Sequence, residues 1–124
     1  MKTQAKASVG EEICKVVCFN EDLVGEIRDA MIPEGELRNL AEFYKLLGNP
    51  TRLKIIFALG KGELCVCDLA HILGLSIPAT SQQLKQLRQR GLLDHRNDGR
   101  MAYYSLAKPR LFEVIQGDVT FVEK

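Results

Sequence analysis

The chain has 124 residues, of which 46% are hydrophobic and 27% charged, with a formal net charge of +1. That length suits a single buried core, and the balance is that of a globular protein rather than a disordered or fibrous one. No run approaches the ~20 apolar residues of a membrane span and the N-terminus lacks an apolar leader, so a cytoplasmic location with no membrane partner is expected.

Residues 1–10 are small and polar. Glu21 to Ala30 carries Leu23, Val24 and Ile27 at helical spacing, with Asn20 as candidate cap. Met31-Ile32-Pro33-Glu34-Gly35 breaks that helix. Leu37, Leu40, Ala41, Tyr44 and Leu47 then recur on one face and predict a second helix that Gly48 ends. Asn49 caps a third, and Pro50 suits its first turn, where a missing N–H costs nothing. Leu53, Ile56 and Phe57 predict burial, and Gly60-Lys61-Gly62 stops the run.

Two helices around a tight turn follow, Val66–Leu73 and Ile77–Arg90. Gly74 can take the left-handed conformation that ends the first, and Ser76 can cap the second. Gly91 closes this unit. Leu92–Arg96 and Met101–Leu106 predict strands joined through Asn97-Asp98-Gly99-Arg100, a strong hairpin signal. Pro109–Gln116 predicts a last helix, and Gly117 weakens any extension of it. The fold class is therefore mainly α with a small β-hairpin: a winged helix-turn-helix. Residues 1–36 form an N-terminal arm and short helix, 37–108 the winged core, and 109–124 a C-terminal helix and tail offering a dimer contact.

Charge is unevenly spread. Between Glu11 and Glu42 there are nine acidic and three basic residues, and between Ile77 and Arg110 seven basic and two acidic. A basic second half is the footprint of a DNA-binding face, although a solvated surface gives the same count. On the second helix of the pair, Ile77, Thr80, Leu84 and Leu87 fall on the inner side. The outer side presents Pro78, Ala79, Gln82, Lys85, Gln86 and Gln89, with Ser81 and Gln83 at its borders and no acid among them. Glutamine can pair bidentately with adenine, and lysine and serine reach guanine edges or phosphates. The candidate DNA contacts are Ser76, Ala79, Ser81, Gln82, Gln83, Lys85 and Gln86, with Arg96 and Arg100 from the wing. A longer site needs two copies, hence a homodimer on double-stranded operator DNA. Leu111, Val114, Ile115 and Val119 suit that interface or the ordinary core equally.

Four cysteines stand as Cys14-x-x-x-Cys18 and Cys65-Val66-Cys67. In a reducing compartment such thiols point to metal binding, redox chemistry or plain burial before disulfides. Thiolates favour cadmium, lead, zinc and trivalent arsenic over magnesium or calcium. Cys14 and Cys18 share a face if residues 11–19 are helical. Cys65 and Cys67 would point ~160° apart on a regular helix, so both can serve one ion only if Cys65 lies at the cap, outside helical geometry. His71 and His95 add nothing to this set. No nucleophile–base pair or phosphate loop is present, so an enzyme is not expected.

The string Glu63-Leu64-Cys65-Val66-Cys67-Asp68-Leu69, followed by Gly74-Leu75-Ser76 and Ser81-Gln82-Gln83-Leu84, resembles the ArsR/SmtB family of metal-responsive repressors from about Leu37 to Leu106. The resemblance implies a homodimeric winged helix that represses a metal efflux or detoxification operon and leaves DNA when metal binds. Cys14 and Cys18, taken with Cys65 and Cys67, are similar to the branch sensing Cd(II), Pb(II) and Zn(II). As(III) is less favoured, since the arsenic branch usually places its third cysteine where this chain has Ala70 or His71. The family's C-terminal site is not matched: Lys108, Arg110, Phe121 and Lys124 stand at its positions. A thiol-redox or arsenite-responsive regulator of the same fold is the alternative.

Overall fold

The structure, a computed structural model, describes residues 20–122. Cys14 and Cys18 lie outside the described residues. The chain divides into two compact units between Ala41 and Glu42, and each is taken by itself.

In the first unit, α1 spans Glu21–Ala30 and buries no residue; Leu23 and Ile27 of its apolar stripe are about half exposed. Asn20 gives it no side-chain cap, contrary to expectation; its carbonyl instead accepts from Val24 N at 2.8 Å. Helix α2, Glu34–Leu47, crosses into the second unit. Its predicted stripe forms the helix, yet only Leu47 is buried, while Leu40 and Tyr44 remain exposed. Periodicity makes an amphipathic helix; it does not supply a partner for the whole face.

The second unit begins with α3, Pro50–Leu59. Asn49 Oδ1 accepts from the N–H groups of Thr51 (2.8 Å) and Arg52 (3.2 Å), and Pro50 occupies the first turn. The deepest residues of α3 are Ile55, Ile56 and Leu59, whereas Leu53 and Phe57 are half-buried. Helix α4, Val66–Leu73, ends on Gly74 at φ 69°, with Leu75 N bonded to Ala70 O and Gly74 N to His71 O. These two bonds satisfy carbonyls that the helix end leaves free. Helix α5, Ile77–Gln89, opens on Ser76, whose Oγ accepts from Ala79 N at 3.1 Å. Thr80, Leu84 and Leu87 are buried as expected. Ile77 is not: it is 51% exposed.

Strands β2 (Leu93–Asp98) and β3 (Met101–Leu106) pair antiparallel from Leu93↔Leu106 to Asp98↔Met101. The turn is therefore the two residues Gly99-Arg100, tighter than the four-residue connection expected, with Gly99 at φ 65°. A short strand β1, Leu64–Cys65, joins β3 on its other side, giving the order β1-β3-β2. Helix α6, Arg110–Val122, runs through Gly117 instead of ending before it. One glycine costs a helix roughly 1 kcal/mol, too little to stop it. Leu111 and Ile115 of α6 close the core around Leu47, Ile55, Ile56, Leu59, Leu69, Leu84, Leu87, Leu93, Tyr104 and Leu106. Among the described residues no helix is long and apolar enough to cross a membrane.

Candidate functional site

Helix α5 carries the predicted reading face. Its burial is confined to Thr80, Leu84 and Leu87, which anchor one side and leave Ala79, Ser81, Gln82 and Lys85 exposed on the other. Thr80 Oγ1 donates to Ser76 O at 2.8 Å, so this buried hydroxyl is satisfied inside the first turn. Ser76 is exposed, with its hydroxyl committed to capping.

Gln83 and Gln86 differ from the rest of that face. Both are half-buried, and both amide oxygens accept from Arg52: Nε to Gln83 Oε1 at 3.2 Å and Nη2 to Gln86 Oε1 at 2.7 Å. Arg52 Nη1 also donates to Leu46 O at 3.0 Å, in the last turn of α2. Arg52 was missed in the sequence, where one signal pointed to it. A cation in the first turn of a helix opposes the macrodipole, so it needs a partner elsewhere.

In the wing, Arg100 sits exposed at the turn, whereas Arg96 is held by Glu63 through two bonds of 2.9 Å. Its guanidinium also lies 4.9 Å from the Tyr103 ring centre and 3.9 Å from Asp98. The hydrogen bond and charge of Glu63, then the charge of Asp98, hold the Arg96 pKa above its ordinary value. Glu63 was not foreseen as the partner of Arg96; the two are 33 residues apart. His95 stacks on Tyr104 with ring centres 5.7 Å apart.

Cys65 has extended backbone (φ −87°, ψ 171°) at the N-cap of α4, the placement that a single ion shared with Cys67 would need. Its N–H donates to Asp68 Oδ2 at 3.4 Å. It also ends β1, opposite Tyr103 of β3. Cys65 is buried and Cys67, in the first turn of α4, is exposed. A soft ion suits thiolates at these positions, but among the described residues no three His, Cys, Asp or Glu side chains gather into a metal-binding group. Two thiols fall short of the three or four ligands a closed soft-metal site requires. A soft-metal site built on these two thiols would need further ligands from outside the described residues or from a second copy.

Residues 49–95 match the family model for bacterial regulatory proteins of the arsR family. The chain is 32% identical over 117 residues to the cadmium resistance transcriptional regulatory protein CadC of Listeria innocua, covering 94% of this chain and 98% of that protein. It is 35% identical over 106 residues to a homologue of the transcriptional repressor SmtB from Synechocystis, covering 86% and 80%. Among solved structures, the homodimeric winged helix-turn-helix DNA-binding domain of a regulator from Mycobacterium bovis is similar at 30% identity and a TM-score of 0.63, covering 73% of this chain and 90% of that one.

Proposed function

Since this chain belongs to the ArsR/SmtB family of DNA-binding transcriptional regulators, in its CadC-like branch, we propose that it is a homodimeric repressor of a metal efflux or detoxification operon. Its operator affinity falls when Cys14, Cys18, Cys65 and Cys67 take up a soft cation of the Cd(II), Pb(II) or Zn(II) class. The relatives support the repressor role and set it apart from enzymes. The chemistry of four thiols favours a soft ion, and α4 offers no third thiol for arsenite, with Ala70 buried and His71 exposed.

One observation carries the reading: Cys65 belongs at once to β1, paired with the wing strand at Tyr103, and to the cap of α4. A force on that thiol reaches both the wing and the helix pair. The exposed Ala79, Ser81, Gln82 and Lys85 of α5, with Ser76 at its cap, face the major groove, and Arg100 reaches a phosphate. The apolar residues that α6 leaves exposed, Val114, Val119, Phe121 and Val122, support pairing of two copies. Coupling between metal and DNA is ordinarily about 1–3 kcal/mol, a 5- to 150-fold change in affinity.

The deciding experiment titrates Cd(II), Pb(II) and Zn(II) into the reduced, full-length protein bound to operator DNA. Anisotropy and thiolate-to-metal absorption are followed together. Wild type should release DNA as the absorption band grows, and Cys65→Ser should lose that coupling. Unchanged release by Cys65→Ser refutes the mechanism. Release by peroxide without metal, and none by metal, favours the thiol-redox alternative.

A further inference from the structure

Arg52, on α3, holds two other elements at one guanidinium: the last turn of α2 through Leu46 O (3.0 Å), and the reading helix α5 through the amide oxygens of Gln83 (3.2 Å) and Gln86 (2.7 Å). Arginine has five donors and no acceptor, so a glutamine can face it only through oxygen. The two glutamines are three residues apart on α5, and their amides therefore lie on one helix face, within reach of the same cation. Bonds from a charged donor hold an amide more firmly than neutral ones. Among the described residues neither Nε2 group has a hydrogen-bond partner in the protein.

A glutamine free to swivel offers DNA an acceptor and a donor together, as the bidentate pair with adenine N6 and N7 requires. These two are not free. We propose that Arg52 is a positioning residue that sets base specificity. It commits the oxygens of Gln83 and Gln86 to the protein and leaves their Nε2 hydrogens as what α5 presents at those points. The glutamine pair then favours edges that offer acceptors alone, guanine N7 and O6 or thymine O4, over adenine. Adenine N7 can still accept, but its neighbouring N6 donor is left without the amide oxygen that completes the bidentate contact. The proposal rests on the assignment of α5 as the DNA-reading helix.

The test uses the full, reduced, metal-free protein. Duplexes are selected from a randomised library and sequenced, and affinities for the selected duplex and its single-base variants follow by anisotropy. Gln83→Ala and Gln86→Ala locate the two base positions by the preferences they erase. Wild type should choose guanine or thymine there. Arg52→Met, which keeps the stem and removes the donors, should admit adenine and reduce the preference roughly fivefold or more. Its salt slope should match wild type, since no phosphate contact is removed. Gln86→Glu keeps the guanidinium's partner, and with it the fold, but turns an acceptor outward. Its preference should move to bases offering a donor, cytosine N4 or adenine N6. This second variant decides the matter even if Arg52→Met unfolds. Wild-type preferences surviving in Arg52→Met, or the acceptor-edge preference surviving in Gln86→Glu, overturn the proposal. A uniform loss of affinity with unchanged base preference does so too, and marks Arg52 as structural only. Absence of salt-dependent duplex binding by wild type overturns the DNA-reading assignment itself, and this proposal with it.

Discussion

Replacing Gly60 by alanine tests how α6 is seated on α3. Gly60 follows α3 with φ −66° and ψ −20°, a conformation open to any residue, so its reason is space and not backbone freedom. A β-carbon there would stand 2.5 Å from Cγ and 2.6 Å from Cε1 of Phe112, and nearer still to Cδ1. Restoring an ordinary contact of 3.4 Å requires the ring to retreat by about 0.9 Å at Cγ and further at Cδ1. That ring is confined on another side by Phe57, edge to face at 5.6 Å. Overpacking of this kind costs about 1–3 kcal/mol, and the lost aromatic contact adds roughly 0.5–1.5 kcal/mol. Against this, alanine gains up to about 1 kcal/mol from reduced unfolded-state entropy. The net is a destabilisation of about 2 kcal/mol, a fall in Tm on the order of 10 °C for a unit of this size. Calorimetry of Gly60→Ala and of Gly60→Ala with Phe112→Leu should show the fall and its partial recovery. A single variant melting at or above wild type would refute the packing argument.

Two further outcomes are expected. Asn49→Ala removes the acceptor for the Thr51 and Arg52 N–H groups and should cost about 1 kcal/mol, which Asn49→Asp recovers in a denaturant titration. Glu63→Gln releases Arg96 from its two-bond partner. Duplex affinity should then rise at low salt and the log–log salt slope steepen by roughly one phosphate's worth. An unchanged slope means that Arg96 does not reach DNA.

The parts of the fold legible in the sequence are those set by local chemistry. Gly74 and Ser76 mark the helix-turn-helix because one takes the left-handed conformation and the other caps with its hydroxyl. Asp98-Gly99 marks the hairpin because Gly99 supplies the positive φ. What escaped depends on distant residues. Strand β1 is two residues long, too short for alternation to reveal, and exists because β3 offers it an edge. Arg52 meets its glutamines 31 and 34 positions away. Ile77 fits the inner face of α5 by spacing, yet it stays half exposed, since periodicity does not say how far along a helix the packing partner runs. Cysteine geometry is the intermediate case. Spacing placed Cys65 outside helical geometry only if it shares one ion with Cys67, and only the structure shows its strand pairing with Tyr103.

That tie separates the two cysteines of the helix pair mechanically. Cys67 is exposed in the first turn of α4, and its side chain can reorient without disturbing a strand. Cys65 is 5% exposed, so moving its thiol moves the end of β1 and strains the bond from its N–H to Asp68. Its strand partner Tyr103 lies under the Arg96 guanidinium, and Arg96 is gripped by Glu63, two residues before Cys65. Cys65, Tyr103, Arg96 and Glu63 therefore close a ring in which every link is a strand pairing, a ring contact, a charge-assisted bond or the chain itself. These links connect Cys65 to the wing, and the solvent-exposed Glu63–Arg96 pair is the one that yields most easily. The basic charge of the wing is thus linked to the thiol at the cap of α4, while Arg52 separately links α5 to α2. Under the proposed mechanism, a ligand pulling on Cys65 acts first on the charged contacts that hold any DNA sequence, and only indirectly on the side chains that distinguish one sequence from another.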